Sequence, residues 1–406
     1  MGAARSWRPG FVNIHCMSAM TGPPWPLRGC RLQGAHRPLL PDVNVSCARR
    51  ASGYRRAQLC RVLRSGCTTV MELEEDVEAL APFVEKQLGI RSAMGEMVGD
   101  ADPTAWCTAS SFSMRGECGT ARARPWVCRA LARPRRRTHH RDPRAQHDDQ
   151  PVAKSSCRRV RAAADQARAG GATDPSRLEQ RSRGYEAAAK RVHGSGPFEF
   201  ARDNGLPAPT SWRRIATSSA RATSTFSRRH DPHVAHCPLE CVRGRIAPVH
   251  FVGGASTSRW ASTTCLATIS LMPGGRRDLR ADQDGGSRRA VSTDALEMAT
   301  IGRRARHVAW RREIGSPVSE TGQARRPDHA RLPRARPRKP VLDPVQNPSI
   351  TLTRDVELVM VDGNVLVDGG EITTIDRDAV IDAAKLASQA AWGRFEAKYG
   401  GPIAAA

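Results

Sequence analysis

A chain of 406 residues is long enough for one large domain or two ordinary ones, but only 39% of it is hydrophobic and 5% aromatic, thin for a core of that size. The formal net charge of +24 and a pI near 10.8 call for a polyanionic partner, either nucleic acid or an anionic surface. No apolar run is long enough to span a membrane, and twelve cysteines with neither regular spacing nor a secretory leader argue against a disulfide framework.

The opening "MGAARS" fits a myristoylation pattern, but six residues carry little weight. Next comes "PGFVNIHCMSAMTG", Pro9 to Gly22, which reads as a short apolar strand delivering His15 at its end, then a loop. A second island begins at "LRSGCTTVMEL" and runs to Asp102. Within it Val77, Leu80, Ala81, Val84 and Leu88 fall at helical spacing. Glu74, Glu75 and Asp76 crowd the predicted helix start, where the helix dipole favours acids, and Gly89 ends it. "IRSAMG" then predicts a short buried strand, making a helix–strand step of a β/α fold, with Glu96 as a solvated loop residue after it.

Ala105–Ala172 and Thr210–Arg229 show neither helical nor strand period and read as disordered. Between and beyond them, "GYEAAAKRVHG" and "FEFARDNGL" look helical and "HVAHCPLE" reads as a strand end. Toward the C-terminus, Val356, Leu358 and Met360 alternate, as do Val365 and Val367, with "DG" twice at predicted turns. A terminal amphipathic helix follows, with Asp376 as its N-cap.

Taken in order, these islands resemble the amidohydrolase superfamily, in particular its cytosine deaminase, chlorohydrolase and adenosylhomocysteine deaminase-like branch. "PGFVNIHCMSAMTG" resembles the first barrel strand with its His-x-His, and "LRSGCTTVMEL" the following helix and second strand. "HVAHCPLE" with "RGRIAPV" resembles the seventh-strand region, "DALEMATIG" a late helix, and "VELVMVDGNVLVDGG" the C-terminal strands of a small β-sandwich. The resemblance implies a (β/α)8 barrel and a small-molecule substrate. It also implies a Zn²⁺ or Fe²⁺ ion that lowers the pKa of a bound water for attack on a carbon bearing an amino or chloro group. The implied ligands are His-x-His, two further histidines on strands five and six, and an Asp on strand eight. Only His15 stands in frame; Met17 occupies the second His position, and a thioether is a soft ligand poorly suited to hydrolytic zinc. His236 in "HCPLE" matches a family motif outside the metal set; a substrate-side role and a histidine merely satisfied near a strand end are equal readings.

The missing motifs reappear when the coding frame is shifted. Of 64 basic residues only six are lysine, an arginine excess that out-of-frame GC-rich codons would produce. Arg259–Ser270, read from the third codon base, can give "LGVDNMLGDYF", which resembles the eighth-strand metal motif. Pro209–Ser218 can likewise give "DVVAAHCYF", the sixth-strand histidine motif, and Ala222–Arg229 "DIDIFAAT". From the second base, Thr321–Arg331 can give "PGKRADLTMLD", the usual lead into the sandwich. Two shifts mean more than one insertion or deletion, from gene decay or sequencing error.

The expected architecture is therefore α/β: a degraded (β/α)8 TIM-like barrel with a partial C-terminal β-sandwich, interrupted by Arg-rich segments of low order. Residues 9–102 form the N-terminal part of the barrel, and 103–232 are largely off-frame with helical islands near 184–206. Residues 233–302 are the late barrel, 303–340 an off-frame linker, 341–375 the sandwich strands and 376–400 the C-terminal helix. The sandwich strands that normally precede the first barrel strand are expected to be missing. The expected protein is a cytoplasmic, metal-dependent hydrolase of C–N or C–Cl bonds by descent, without activity or bound metal as written. The rival is a basic protein that binds nucleic acid non-specifically; the lysine shortage and the lack of aromatic interleaving count against it. Other candidate sites are weaker. His230, His233, His236, Cys237 and Cys241 fit no closed zinc spacing, His139, His140 and His147 have no scaffold, and no P-loop, dinucleotide fingerprint or GxSxG elbow occurs.

Overall fold

In a computed structural model of the chain, the structure describes residues 6–16, 18, 52–74, 77–98, 140–141, 144–145, 194, 203, 213–215, 233–236, 258–260, 300, 329–332 and 356–399. Met17, the helical islands near 184–206 apart from Gly194 and Asp203, "RGRIAPV", and "DALEMATIG" apart from Thr300 lie outside the described residues.

The N-terminal unit alternates strand and helix. Strand β1 (Ser6–Pro9) leads through Gly10 into β2 (Phe11–Cys16). Helix α1 (Ser52–Arg64) ends at Gly66, whose φ of 90° turns the chain into β3 (Cys67–Glu74). The β-branched run Thr68, Thr69, Val70 at the start of β3 is wholly buried. The predicted helix then appears as α2 (Val77–Pro82), continued by a π-helical stretch, Phe83–Leu88. Gly89, at φ 78°, closes it, and its N–H reaches Val84 O at 3.0 Å, a π-type capping bond. Strand β4 (Arg91–Val98) follows and is longer than its apolar run. Glu74 belongs to β3 and not to a helix start; Glu96 belongs to β4 and not to a loop, because the two strands stay paired to the register Glu74↔Glu96.

Strands β2, β3 and β4 are parallel neighbours in that order. Two short pieces, β5 (His140–Arg141) and β6 (Arg144–Ala145), extend the set, each parallel to β4. A second parallel sheet has the order β7 (Arg213–Ile215), β8 (His233–His236), β9 (Ser258–Trp260). Strand β9 lies beside β2, so the two parallel sheets adjoin. Strands β5, β6 and β7 sit in stretches whose composition reads as disordered. Backbone pairing with a neighbouring strand supplies the order that their side-chain pattern does not specify.

An antiparallel sheet has the order β1, β10 (His329–Leu332), β11 (Leu358–Val361), β12 (Asn364–Asp368), β13 (Glu371–Ile372). Its composition bears on two expectations. One strand of this sheet, β1, comes before β2 in the chain and pairs with β10 through Trp7↔Arg331, whose guanidinium carbon stands 5.4 Å from the indole centroid. A further strand, β10, lies inside 303–340, a stretch read as linker. The first "DG" makes the predicted hairpin turn: Asp362 and Gly363 have φ of 53° and 76°, the two positive values of a type I′ turn. A register shift between Val359 and Met360 then breaks the expected alternation. Leu366 and Val367 are both buried, while Val365 is 38% exposed.

Helix α3 (Arg377–Tyr399) is capped by Asp376, whose Oδ1 accepts from the N–H groups of Asp378 and Ala379 at 3.0 and 3.1 Å. It packs on α1, with Tyr54 against Ala384. A Cβ built on Gly53 would lie 2.9 Å from the Ala383 carbonyl carbon and oxygen. We expect Gly53→Ala to lower stability by about 1–2 kcal/mol, since overpacking against backbone outweighs the ~1 kcal/mol that helix propensity returns. A rise in the urea midpoint of the purified variant would contradict this.

One continuous core holds the two units together. Phe11, Leu59, Leu63, Val70, Phe83 and Leu88 from the parallel unit pack in the same cluster as Val356, Val359, Val361, Leu366, Val367 and Ile372. Polar contacts reinforce the seam: Arg64 Nε donates to Gly370 O at 2.7 Å, and Arg91 approaches Asp362 Oδ1 at 3.5 Å. Among the described residues, no helix is long and apolar enough to cross a membrane.

Candidate functional site

In a parallel α/β arrangement the C-terminal ends of the strands are where side chains from several elements converge. His15 is the last residue but one of β2, and His236 the last of β8, paired in register with Trp260 of β9. Both imidazoles lie outside what the structure describes, so it neither joins nor separates them. Asn13, two residues before His15 on β2, is buried.

The side chains that the structure does place at the end of β2 were not singled out by sequence. Cys16 stands in register with Glu72 of β3. Two residues further on, the Ser18 N–H donates to Glu72 Oε1 at 2.9 Å, and the Ser18 hydroxyl bonds the same oxygen. Arg55, projecting from α1, donates from Nε to Ser18 Oγ at 3.3 Å and brings a terminal guanidinium nitrogen to 4.0 Å from Glu72 Oε1. Ser18, Arg55 and Glu72 are each at most 1% exposed. This is a buried ionic cluster between the strand layer and the helix layer, at the point where the chain leaves β2. Only one sequence signal could have found it: an acid, Glu72, at the end of a run of strand-forming residues that is otherwise wholly apolar or hydroxylic, "CTTVME".

The described residues at the end of β2 do not by themselves make up the implied metal set. Among the described residues no group of three or more His, Cys, Asp or Glu could hold a metal ion. Among the described residues the buried carboxylate beside the end of β2, Glu72 of β3, already faces a guanidinium, whose charge opposes a second cation there. In sequence the end of this strand offers a single imidazole, His15, and the thioether of Met17, where a catalytic zinc takes three protein ligands.

Three cysteines of the described residues, Cys16, Cys60 and Cys67, are buried in the shared core outside any disulfide. Burial pushes the Cys60 thiol up to about 12, partly opposed by a backbone hydrogen bond and by the charges of Arg64 and Arg377. The thiol therefore stays protonated in the fold while the unfolded chain would ionise it near its ordinary value. Its contribution to stability is whole below about pH 9 and is lost as pH rises toward 12. We expect Cys60 to resist iodoacetamide at pH 8 in the native protein and to be alkylated at least about tenfold faster in denaturant, as read by peptide mass spectrometry. Equal rates would contradict the buried placement.

Neither a protein-family model nor a curated protein matches the sequence. Solved structures do match. An adenosine deaminase from Xanthomonas campestris with bound zinc superposes with a TM-score of 0.71 at 17% identity, covering 95% of this chain and 86% of that one. Atrazine chlorohydrolase from Arthrobacter aurescens complexed with zinc gives 0.74 at 16% identity, covering 95% and 88%. An amidohydrolase from a Sargasso Sea environmental sample gives 0.65 at 14% identity, covering 96% and 86%. The chain has the fold of these hydrolases.

Proposed function

We propose that the chain is an amidohydrolase by descent, from the branch whose members cleave C–N or C–Cl bonds in cyclic amidine or nucleobase-type substrates, and that it no longer performs that reaction as written. The observation that carries this is the strand order. The stretch that can encode the sixth-strand histidine motif contains β7, the in-frame "HVAH" is β8, and the stretch that can encode the eighth-strand motif begins within β9. These three are parallel neighbours in that sequence, and β9 lies beside β2, the strand of His15. An eight-stranded barrel closed at that junction would bring His15 and His236 to one mouth, His15 as the remaining metal-ligand position and His236 facing a small-molecule substrate.

When bound, a zinc or iron ion would supply an ionised water in such a barrel. The donor set here does not support holding one, so His15 is left as a histidine at a strand end, with Met17 in its partner's place. The positive charge adds non-specific attachment to polyanions that weakens steeply with salt. A cytoplasmic location is part of the same proposal.

Resequencing the coding DNA across codons 17 to 355 tests the descent directly. Loss of the frame breaks on resequencing would put histidine at position 17 and return an intact hydrolase gene. Their persistence would make this chain the relic of one. For the polypeptide as written, we expect zinc to leave the unfolding midpoint unchanged. A site present at 100 times its Kd would add about 2.7 kcal/mol. A zinc-dependent shift of that size, or release of ammonia from cytosine or adenosine that chelation abolishes, would overturn the inactive reading.

A further inference from the structure

We propose that Glu72 is the positioning residue for the end of β2, where His15 stands, holding the chain where it leaves the strand through Ser18. The geometry is specific to that task. Glu72 Oε1 takes both the backbone N–H and the hydroxyl of Ser18, so it fixes main chain as well as side chain. Arg55 holds the same pair from the helix side, through Ser18 Oγ and Glu72 Oε1. The ladder between β2 and β3 is irregular between Asn13 and Cys16 and resumes at Cys16↔Glu72, so the backbone of His15 lies in the break. Without the ladder to place it, that backbone is set from its two sides: the strand before it, and Ser18 three residues beyond. A serine–carboxylate pair is also the start of a nucleophilic site, but Ser18 is fully buried and its own amide shares the carboxylate oxygen, which suits an anchor. The anchor holds whether or not a metal is present, so it stands apart from the reading of the chain as an inactive hydrolase.

The test is amide hydrogen exchange on the full chain, with a variant that removes the anchor and spares the core. Replacing both members of a buried ion pair by apolar residues of similar size is often neutral for stability, whereas removing one is not. In Arg55→Met/Glu72→Leu, the Ser18 amide should exchange about 10- to 100-fold faster than in the parent chain, while the β3–β4 ladder amides keep their rates. Glu72→Gln, which retains a carbonyl acceptor, should keep Ser18 slow. Ser18→Ala should leave the amide at position 18 protected, because the carboxylate and not the hydroxyl is its acceptor. The proposal is overturned by a Ser18 amide that is unprotected in the parent chain, or one that stays slow in the double variant. It is equally overturned if the ladder amides accelerate in step with Ser18, which would make the cluster a general stabiliser; should the double variant not fold, loss of protection at position 18 in Ser18→Ala with the ladder intact overturns it as well. None of these readings depends on metal or turnover.

Discussion

Glu72→Ala is expected to cost about 3–5 kcal/mol of stability. The substitution leaves the Arg55 guanidinium in the interior opposite a methyl group, and takes the acceptor from the Ser18 N–H and hydroxyl. Desolvation of Arg55 has by then already been incurred, and the attraction that offset it is gone. The control is Glu371→Ala. Glu371 bonds Arg377 at 2.9 Å and Arg64 at 3.4 Å, better distances than the 4.0 Å at Glu72, but it is 61% exposed. Water screens that network, and its loss should cost no more than about 1 kcal/mol. Urea unfolding of both variants decides whether burial or distance governs. Equal small losses would mean that Glu72 is solvated in solution.

Phe83→Ala is expected to cost a similar amount, about 3–5 kcal/mol, for an unrelated reason. Phe83 is 1% exposed in the cluster shared by both sheets, and Arg56 lies over its ring at 5.1 Å from the centroid. It stands directly after Pro82, where α2 passes into π-helical winding. Truncation removes the aromatic filling, opens a cavity and deprives Arg56 of the ring face that partly replaces water. The denaturant midpoint should fall with little change in slope. Phe83→Leu, which retains most of the volume, should recover more than half the loss. If Ala and Leu were equivalent, the core around Phe83 would be loosely packed.

The elements that a sequence reader can find here are those whose own residues specify them. Val77 to Leu88 carries a helical stripe and Gly89 a stop; Asp362–Gly363 specifies a turn by its backbone preferences; Asp376 caps a helix with its own carboxylate. Each is a local signal, within five residues of what it determines. By contrast β5, β7 and β9 are two or three residues long and hold their places by pairing with strands elsewhere in the chain, so no period exists to be read. Helix α1 was legible only at its end. Its largest fully buried side chain is Arg55, and in a chain dense with arginine nothing marks one of them as interior. The same holds for the site. His15 at a strand end was readable from "FVNIH", whereas Ser18 gains its role only from Glu72, 54 residues away.

The hydrogen bond from Arg64 to Gly370 spans 306 residues of chain, and the core beneath it is built from both sides of that gap. On the ribosome, α1 therefore waits for its partners. At typical elongation rates of about 5–20 residues per second, roughly 15–60 s separate the synthesis of Arg64 from that of Gly370. During that interval Leu59, Leu63 and Phe83 are exposed surface for any binder of nascent chains. A message that stops before codon 356 would leave them so for the lifetime of the product.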